Sequence, residues 1–319
     1  MLHVRLTVPT DSCDDVLALI ERDLTVANLA VVDGASRNPP GSLFLFDLAR
    51  ENATELLHEL RELGIHHTGS IAFEESDVLM SDAADAAERA APGSPADAVI
   101  WESIEDKARD GAQTSWSFIA FLVLATLIAG IGRYLDQPIL IVGAMVVGPE
   151  FAPISSICFA LARPRPSLLA PALTLLLGGF LIATVFACAW WSVAYAFGWI
   201  NAADASTGPA TAFILQPNGW SLVIALLAGT AGVLSLTAEK SSTLVGVFIS
   251  VTTVPAAGTV ALSVAVGNWH DAGESATQLG VNLAGMVVAG TATFLVQRLI
   301  WRRVEVSRNV PTRRGTRRA

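Results

Sequence analysis

The sequence predicts a small ferredoxin-like α/β domain followed by a mainly α-helical, polytopic membrane domain of six apolar segments. Three observations carry that expectation. Residues 1–115 are acidic and of mixed polarity, with 22 Asp/Glu against 8 Lys/Arg and hence a formal charge of −14. Residues 116–300 are a succession of long apolar runs, whereas residues 301–319 are strongly basic and lack periodicity after Val306. Over all 319 residues, 52% are apolar and the mean hydropathy is +0.52, a composition that suits a protein with a large membrane domain.

Residues 1–75 read as β-α-β-β-α-β, the order of the split ferredoxin-like unit. LHVRLTVP (2–9) alternates as a strand, and DSCDDVLALIERDL is an amphipathic helix capped by Asp11 or Ser12, with Val16, Leu17, Leu19 and Ile20 facing inward. TVANLAVVD and GSLFLFDL are strands separated by the turn RNPPG. ATELLHELRELG is a second helix ending at Gly64, a natural C-cap, and HHTGSIAFEES closes the unit with a strand. His66 and His67 fall at the helix-to-strand turn with no Cys or third His nearby, so they read as loop residues and not as metal ligands. Cys13, Cys158 and Cys188 are too far apart for a disulfide framework or a metal spacing. The N-terminus lacks the basic region and long apolar core of a signal peptide. The fold itself hosts many functions, small-molecule sensing among them.

Residues 76–115 comprise an acidic linker, SDVLMSDAADAAERAAPGSPA, and a juxtamembrane amphipathic helix, DAVIWESIEDKARD. Val99, Ile100 and Ile104 are expected on its apolar face, with Trp101 at an interface level. The six membrane segments of residues 116–300 run from Trp116 to Leu135, Gln137 to Ala162, Leu168 to Trp199, Trp220 to Thr237, Ser242 to Gly267 and Ala276 to Ile300. The first, fourth and sixth have the length of ordinary spans. The loop with Arg163 and Arg165, the loop with Lys240 and the tail 301–319 are basic, whereas INAADASTGPATAFILQPN and NWHDAGES contain no Lys or Arg. Positive charge on alternate loops predicts a multi-pass protein of the inner (plasma) membrane with both termini cytoplasmic and the tail touching anionic lipid. Arg133, near the outer end of the first span, departs from this pattern.

The two halves of the membrane domain resemble each other. A shift of about 103 residues places Asp136 over Glu239 and Val142-Gly143 over Val245-Gly246, and one further gap places Pro153 over Pro255. Three spans per half is an odd number, so successive halves would insert in opposite orientations, the logic of a 3+3 inverted repeat. The second and fifth segments correspond, and both carry proline near mid-depth: Gly148, Pro149, Pro153 and Pro255 are the expected helix breaks. Irregular backbone is tolerated in hydrocarbon where protein buries it or a watery cavity meets it, so two broken helices could frame a solute site. Glu150 lies within the first break. A carboxylate at the bilayer centre costs about 2.5 kcal/mol or more, and should be protonated, paired or wet. Glu150 with Ser155, Thr252 and Thr253 therefore forms the candidate ion or proton site. A second, compatible reading is that Glu150 caps the helix from Phe151 onward. Asn282 is a further deep polar residue, suited to an interhelical hydrogen bond among Gly285, Ala289 and Gly290 or to the site itself. Thr230, Ser235 and Thr237 read as packing residues.

IVGAMVVGPEFAPISSICFALA, AGTAGVLSLTAEKSSTLVGVFISVTTVPAAG and VNLAGMVVAG together resemble the family of prokaryotic membrane proteins termed DUF389, domain of unknown function 389. The resemblance covers nearly all of residues 116–300 and implies a hydrophobic multi-span domain, often accompanied by a small α/β domain. In that pattern the two prolines are usual and the residues between them vary, often being apolar with a glycine. Here they are Glu150, Phe151 and Ala152, so the resemblance implies a role for Glu150 only in a subgroup. It implies fold and location and supplies no catalytic residues.

Several function classes are disfavoured by these observations. The acidic domain would be repelled by nucleic acid. The apolar segments hold no His-rich cluster, Ser/His pairing or aspartate pair, so an enzyme is not expected, and no cofactor is implied. A transporter or ion-conducting protein for an unknown ion or small solute is expected, embedded in the lipid bilayer as a homo-oligomer and regulated by the cytoplasmic domain. The alternative is a membrane-anchored sensor or scaffold whose ferredoxin-like domain binds a ligand or partner.

Overall fold

A computed structural model describes residues 1–75, 79–91, 93, 99–206, 208–211, 219–238 and 252–308. The chain forms two compact units, one built on Met1–Ser103 and the other on Ile104–Arg303.

The first unit is an antiparallel four-stranded sheet with helices between its strands. Its elements are β1 (Leu2–Pro9), α1 (Cys13–Glu21), β2 (Val26–Arg37), β3 (Pro40–Leu48), α2 (Ala53–Glu62), the short α3 (Ile65–Thr68) and β4 (Ser70–Glu75). The strand order is β2-β3-β1-β4, and each neighbouring pair is antiparallel. With this connectivity, that order is the ferredoxin-like split unit. Strand alternation makes the core: Leu2, Val4, Leu6 and Val8 of β1 and Phe44, Phe46 and Leu48 of β3 are buried. They meet Val16, Leu19 and Ile20 of α1 and Leu56 and Leu60 of α2.

Local signals hold in most places. Gly64 terminates α2 with φ +75°, in the left-handed region where a residue without Cβ is cheapest. Neither Asp11 nor Ser12 caps α1 with its side chain; a 3-10 turn over Thr10–Ser12 leads into the helix instead. His66 and His67 sit in α3 rather than in an open loop, with ring centroids 3.7 Å apart. Desolvation, together with His67 and Arg61, holds the His66 imidazole below its usual range. Within the expected linker, α4 (Asp82–Ala90) forms with Ser81 accepting a hydrogen bond from the Ala84 amide, and it buries Ala84 and Ala87 against Ala27. Ile100, expected on a membrane-facing surface, joins the core of the ferredoxin-like unit.

The second unit is helical: α6 (Trp116–Tyr134), α7 (Pro138–Val147), α8 (Phe151–Ala162), α9 (Pro166–Ala196), α10 (Ala202–Ser206), α11 (Gly219–Thr237), α12 (Thr253–Ala265) and α13 (Trp269–Arg308). It follows α5 (Trp101–Gly111). Helices α6, α9, α11 and residues 269–300 of α13 are long and apolar enough to cross a membrane. The α7–α8 pair reaches the same length but is bent by 55°. Helix α12 is a shorter apolar helix. The first part of the expected fifth segment, with Glu239, Lys240, Val245 and Gly246, lies outside the described residues. Proline opens α7 and α9, where the missing N–H would have no helical acceptor.

The helix boundaries repeat. Helices α6 and α11 end 103 residues apart, at 134 and 237. Helices α9 and α13 also begin 103 apart, at 166 and 269, and α8 and α12 begin 102 apart, at 151 and 253. The packing repeats with them. Trp191 of α9 packs beside Ala261 and Leu262 of α12, and at the matching place Phe294 of α13 meets Phe159 of α8 edge-on, centroids 5.9 Å apart. Helix α12 thus packs on α9, and α8 packs on α13. Close approach needs small residues: a methyl group on Gly258 of α12 would lie 2.7 Å from the Thr126 carbonyl oxygen of α6, and Gly232 of α11 gives room in the same way to the Phe151 ring of α8.

Two outcomes follow from this packing and burial. Gly258→Ala should destabilise the helical unit by about 1–3 kcal/mol, measured by denaturant unfolding in micelles, whereas Gly178→Ala, where the added methyl meets nothing, should be neutral or slightly stabilising. In the first unit both Glu51 carboxylate oxygens are buried, and among the described residues no other residue donates a hydrogen bond to them. Burial, with a contribution from Glu88, raises this carboxyl above its usual range, against weaker opposing effects of its own backbone amide, the amino terminus and Arg50. The folded state then binds the proton more tightly than the unfolded state, so the group's destabilising effect grows as pH rises through the carboxylate range. Glu51→Gln should therefore slow hydrogen exchange of the β1 and β3 amides at pH 7, and the difference should vanish below the ordinary carboxylate range.

Candidate functional site

Three residues, Gly148-Pro149-Glu150, separate α7 from α8. Gly148 leaves the helix with ψ 128° while its amide still bonds the Ala144 carbonyl. Pro149 has no amide to donate and disfavours helical geometry in the residue before it, so the break follows from covalent structure. Pro153 lies in the first turn of α8, and Pro255 in the first turn of α12. Amides there have no partner within the helix, so these prolines mark where helices start, and Gly148 and Pro149 occupy the break itself.

Glu150 occupies the residue before α8 but does not cap it: no side-chain hydrogen bond reaches the α8 amides. Its Oε1 instead accepts a hydrogen bond of 2.6 Å from the hydroxyl of Thr253, the first residue of α12. An O–H···O bond of this length is at the short end of the usual range. It joins the starts of α8 and α12. Glu150 Oε2 is buried and has no hydrogen-bond partner among the described residues. A Cβ at position 148 would collide with that oxygen, which explains glycine there. No Lys, Arg or His among the described residues forms an ion pair with Glu150.

The neighbouring Thr252 belongs to a second polar group. Its hydroxyl accepts from Asn282 Nδ2 at 2.9 Å and Gln278 Nε2 at 3.3 Å, and Gln278 Nε2 also reaches Asn282 Oδ1 at 3.5 Å. Thr252, Thr253, Glu150 and Asn282, singled out from the sequence, therefore lie in two adjoining clusters. Ser155 does not join them, because its hydroxyl donates to the Ala152 carbonyl of its own helix at 2.8 Å. Gln278 was missed. The signal for it was present: it stands four residues before Asn282 in the first third of α13, on the same helical face.

Arg133, the basic residue that departed from the loop pattern, is buried but committed elsewhere. Its Nη1 donates to the Gly208 carbonyl at 3.1 Å and to the Thr211 hydroxyl at 2.8 Å. Asp136 receives the Thr211 amide and hydroxyl, both at 2.9 Å, and the Ala210 amide at 3.2 Å. Burial opposes ionisation of Asp136, but these hydrogen bonds and the Arg133 charge outweigh it and hold the carboxyl below its usual range. Thr230 and Thr237 donate to carbonyls of their own helix, and Gln297 donates to Thr237, in keeping with packing roles.

A carboxylate so placed has few ways to be neutralised. Among the described residues one oxygen is held by a hydroxyl, the other is undonated and no basic side chain pairs with the carboxylate, an arrangement in which a proton or a cation is a means of meeting the charge. Residues 145–288 match the model of a family described as a domain of unknown function, DUF389. That stretch contains Glu150, Thr252, Thr253, Gln278 and Asn282. No curated protein and no solved structure matches the chain.

Thr253→Val should cost about 1–3 kcal/mol, because it deprives a buried carboxylate of its donor, whereas Thr253→Ser should cost less than 1.5 kcal/mol, roughly the limit for a well-tolerated core exchange. Unfolding of the two variants in the same detergent measures the difference.

Proposed function

The chain belongs to the DUF389 family, and we propose that it is an integral membrane transporter or ion-conducting protein whose solute site is built around Glu150. The observation that carries this reading is the Oε2 of Glu150, buried and undonated among the described residues, at the meeting point of two helix starts. A group of this kind is costly to keep for packing alone, and it can take up and release a proton or cation without rearranging its neighbours. The repeated helix boundaries support two halves of like architecture, and three segments per half would insert them in opposite senses. In that arrangement α7–α8 is a discontinuous span at mid-depth and the fifth segment is its counterpart.

The alternation of basic and uncharged loops supports cytoplasmic termini in the inner (plasma) membrane. The acidic ferredoxin-like unit is then a cytoplasmic regulator, the protein is not an enzyme, and it assembles as a homo-oligomer in the bilayer without nucleic acid. A membrane-anchored sensor is the competing reading, supported by a ferredoxin-like unit with a core of its own.

The test is flux through purified full-length protein in sealed liposomes under imposed proton and alkali-cation gradients. Glu150→Gln keeps the shape and an acceptor for Thr253 but removes the titratable charge, and it should reduce flux to the background of empty liposomes while the protein elutes normally on gel filtration. Unchanged flux in this variant would remove Glu150 from the mechanism. Absence of flux for the wild type, with a metabolite bound to the ferredoxin-like unit, would favour the sensor.

A further inference from the structure

Glu150 Oε2 is not alone in lacking a partner. Among the described residues, Gln278 Oε1 and Ser275 Oγ are also buried without one, and both side chains are almost fully enclosed, at 2% and 0% exposure. Ser275, Gln278 and Asn282 stand at i, i+3 and i+7 on α13, so they share one helical face. Continued toward the start of the helix, that face reaches Asp271, four residues before Ser275. There His270, Asp271 and Glu274 bring their ligand atoms within 4.8 Å of one another, with His270 Nδ1 3.6 Å from Asp271 and Nε2 3.8 Å from Glu274. His270 is exposed. The stripe therefore runs from an exposed, carboxylate-bearing end to the buried cluster on Thr252, a distance of about 18 Å at helical rise. Arg133 lies within electrostatic reach of Asp271 and of Asp136, and Glu274 adds a further carboxylate, so negative groups outnumber that guanidinium.

We propose that this face of α13 is the entry path by which a small hydrated cation, hydronium or alkali metal, reaches Glu150. Asp271 and Glu274 raise the local cation concentration at the mouth. Ser275 Oγ and Gln278 Oε1 offer acceptor lone pairs to a passing ion or its water, and Glu150 Oε2 is the end point. Groups left undonated in an apolar helix bundle are tolerated where water or an ion visits them, and here they fall in register on one face. The proposal rests on the transport reading for its end point, but the path is testable without any flux.

The experiment uses full-length protein in liposomes with Cys13, Cys158 and Cys188 replaced by alanine, and a single cysteine introduced as Ser275→Cys or, separately, Gln278→Cys. Each is exposed to a cationic trimethylammonium-ethyl and an anionic sulfonatoethyl methanethiosulfonate. The cationic reagent should modify both variants about tenfold or more faster than the anionic one, and adding Asp271→Asn with Glu274→Gln should erase most of that preference. Val288→Cys, on the exposed apolar side of α13, should react with neither. Failure of both introduced cysteines to react, or equal rates with the two reagents, would overturn the path. Selective labelling in a protein that carries no flux would keep the path and sink the transport reading. Glu150-dependent flux with unreactive cysteines would do the reverse.

Discussion

The helical unit is organised around one constraint: two of its helices, α8 and α12, begin inside an apolar bundle, where the amides of a first turn have no acceptor within their own helix. The hydrogen bond from Thr253 to Glu150 lies where those two starts come together. Much of the surrounding sequence serves that meeting. Gly148 leaves room for the second carboxylate oxygen, and proline in the first turn of each helix removes a donor that would otherwise need an acceptor. Gly258 lets α12 approach α6 closely, and Gly232 of α11 makes room for the Phe151 ring of α8.

Charge is distributed with the same economy. The helical unit keeps Arg133 buried without placing it beside Glu150, by tying it to the Gly208 carbonyl and Thr211, which Asp136 in turn holds. Among the described residues the carboxylate is left with the Thr253 hydroxyl as its partner. Were the guanidinium to pair with Glu150, the site would be a closed ion pair.

Much of the fold was legible in the sequence. Alternation in LHVRLTVP and GSLFLFDL, the apolar stripe of α1 and Gly64 after α2 are local signals, and they place the ferredoxin-like unit correctly because each element there is short and one-sided. The misplacements have a common cause. Ser81 caps a helix in a stretch whose alanine-rich composition read as linker, and Ala84 and Ala87 are too small to announce a buried face. Ile100 reads as membrane-facing by hydropathy alone, since burial in a soluble core and burial in lipid select the same side chains.

At the site, the sequence by itself determined the break and its carboxylate: Pro149 cannot continue a helix, and Glu150 beside it is conspicuous in an apolar run. It also determined that Thr252, Thr253 and Asn282 are the polar residues available nearby. Only the tertiary structure decided that Glu150 turns away from its own helix toward Thr253, that Ser155 is spent on the Ala152 carbonyl, and that Gln278 belongs to the cluster. A hydroxyl or amide has several acceptors within reach of its own turn, and which of them it meets depends on contacts with helices about a hundred residues away in the chain, which no local pattern encodes.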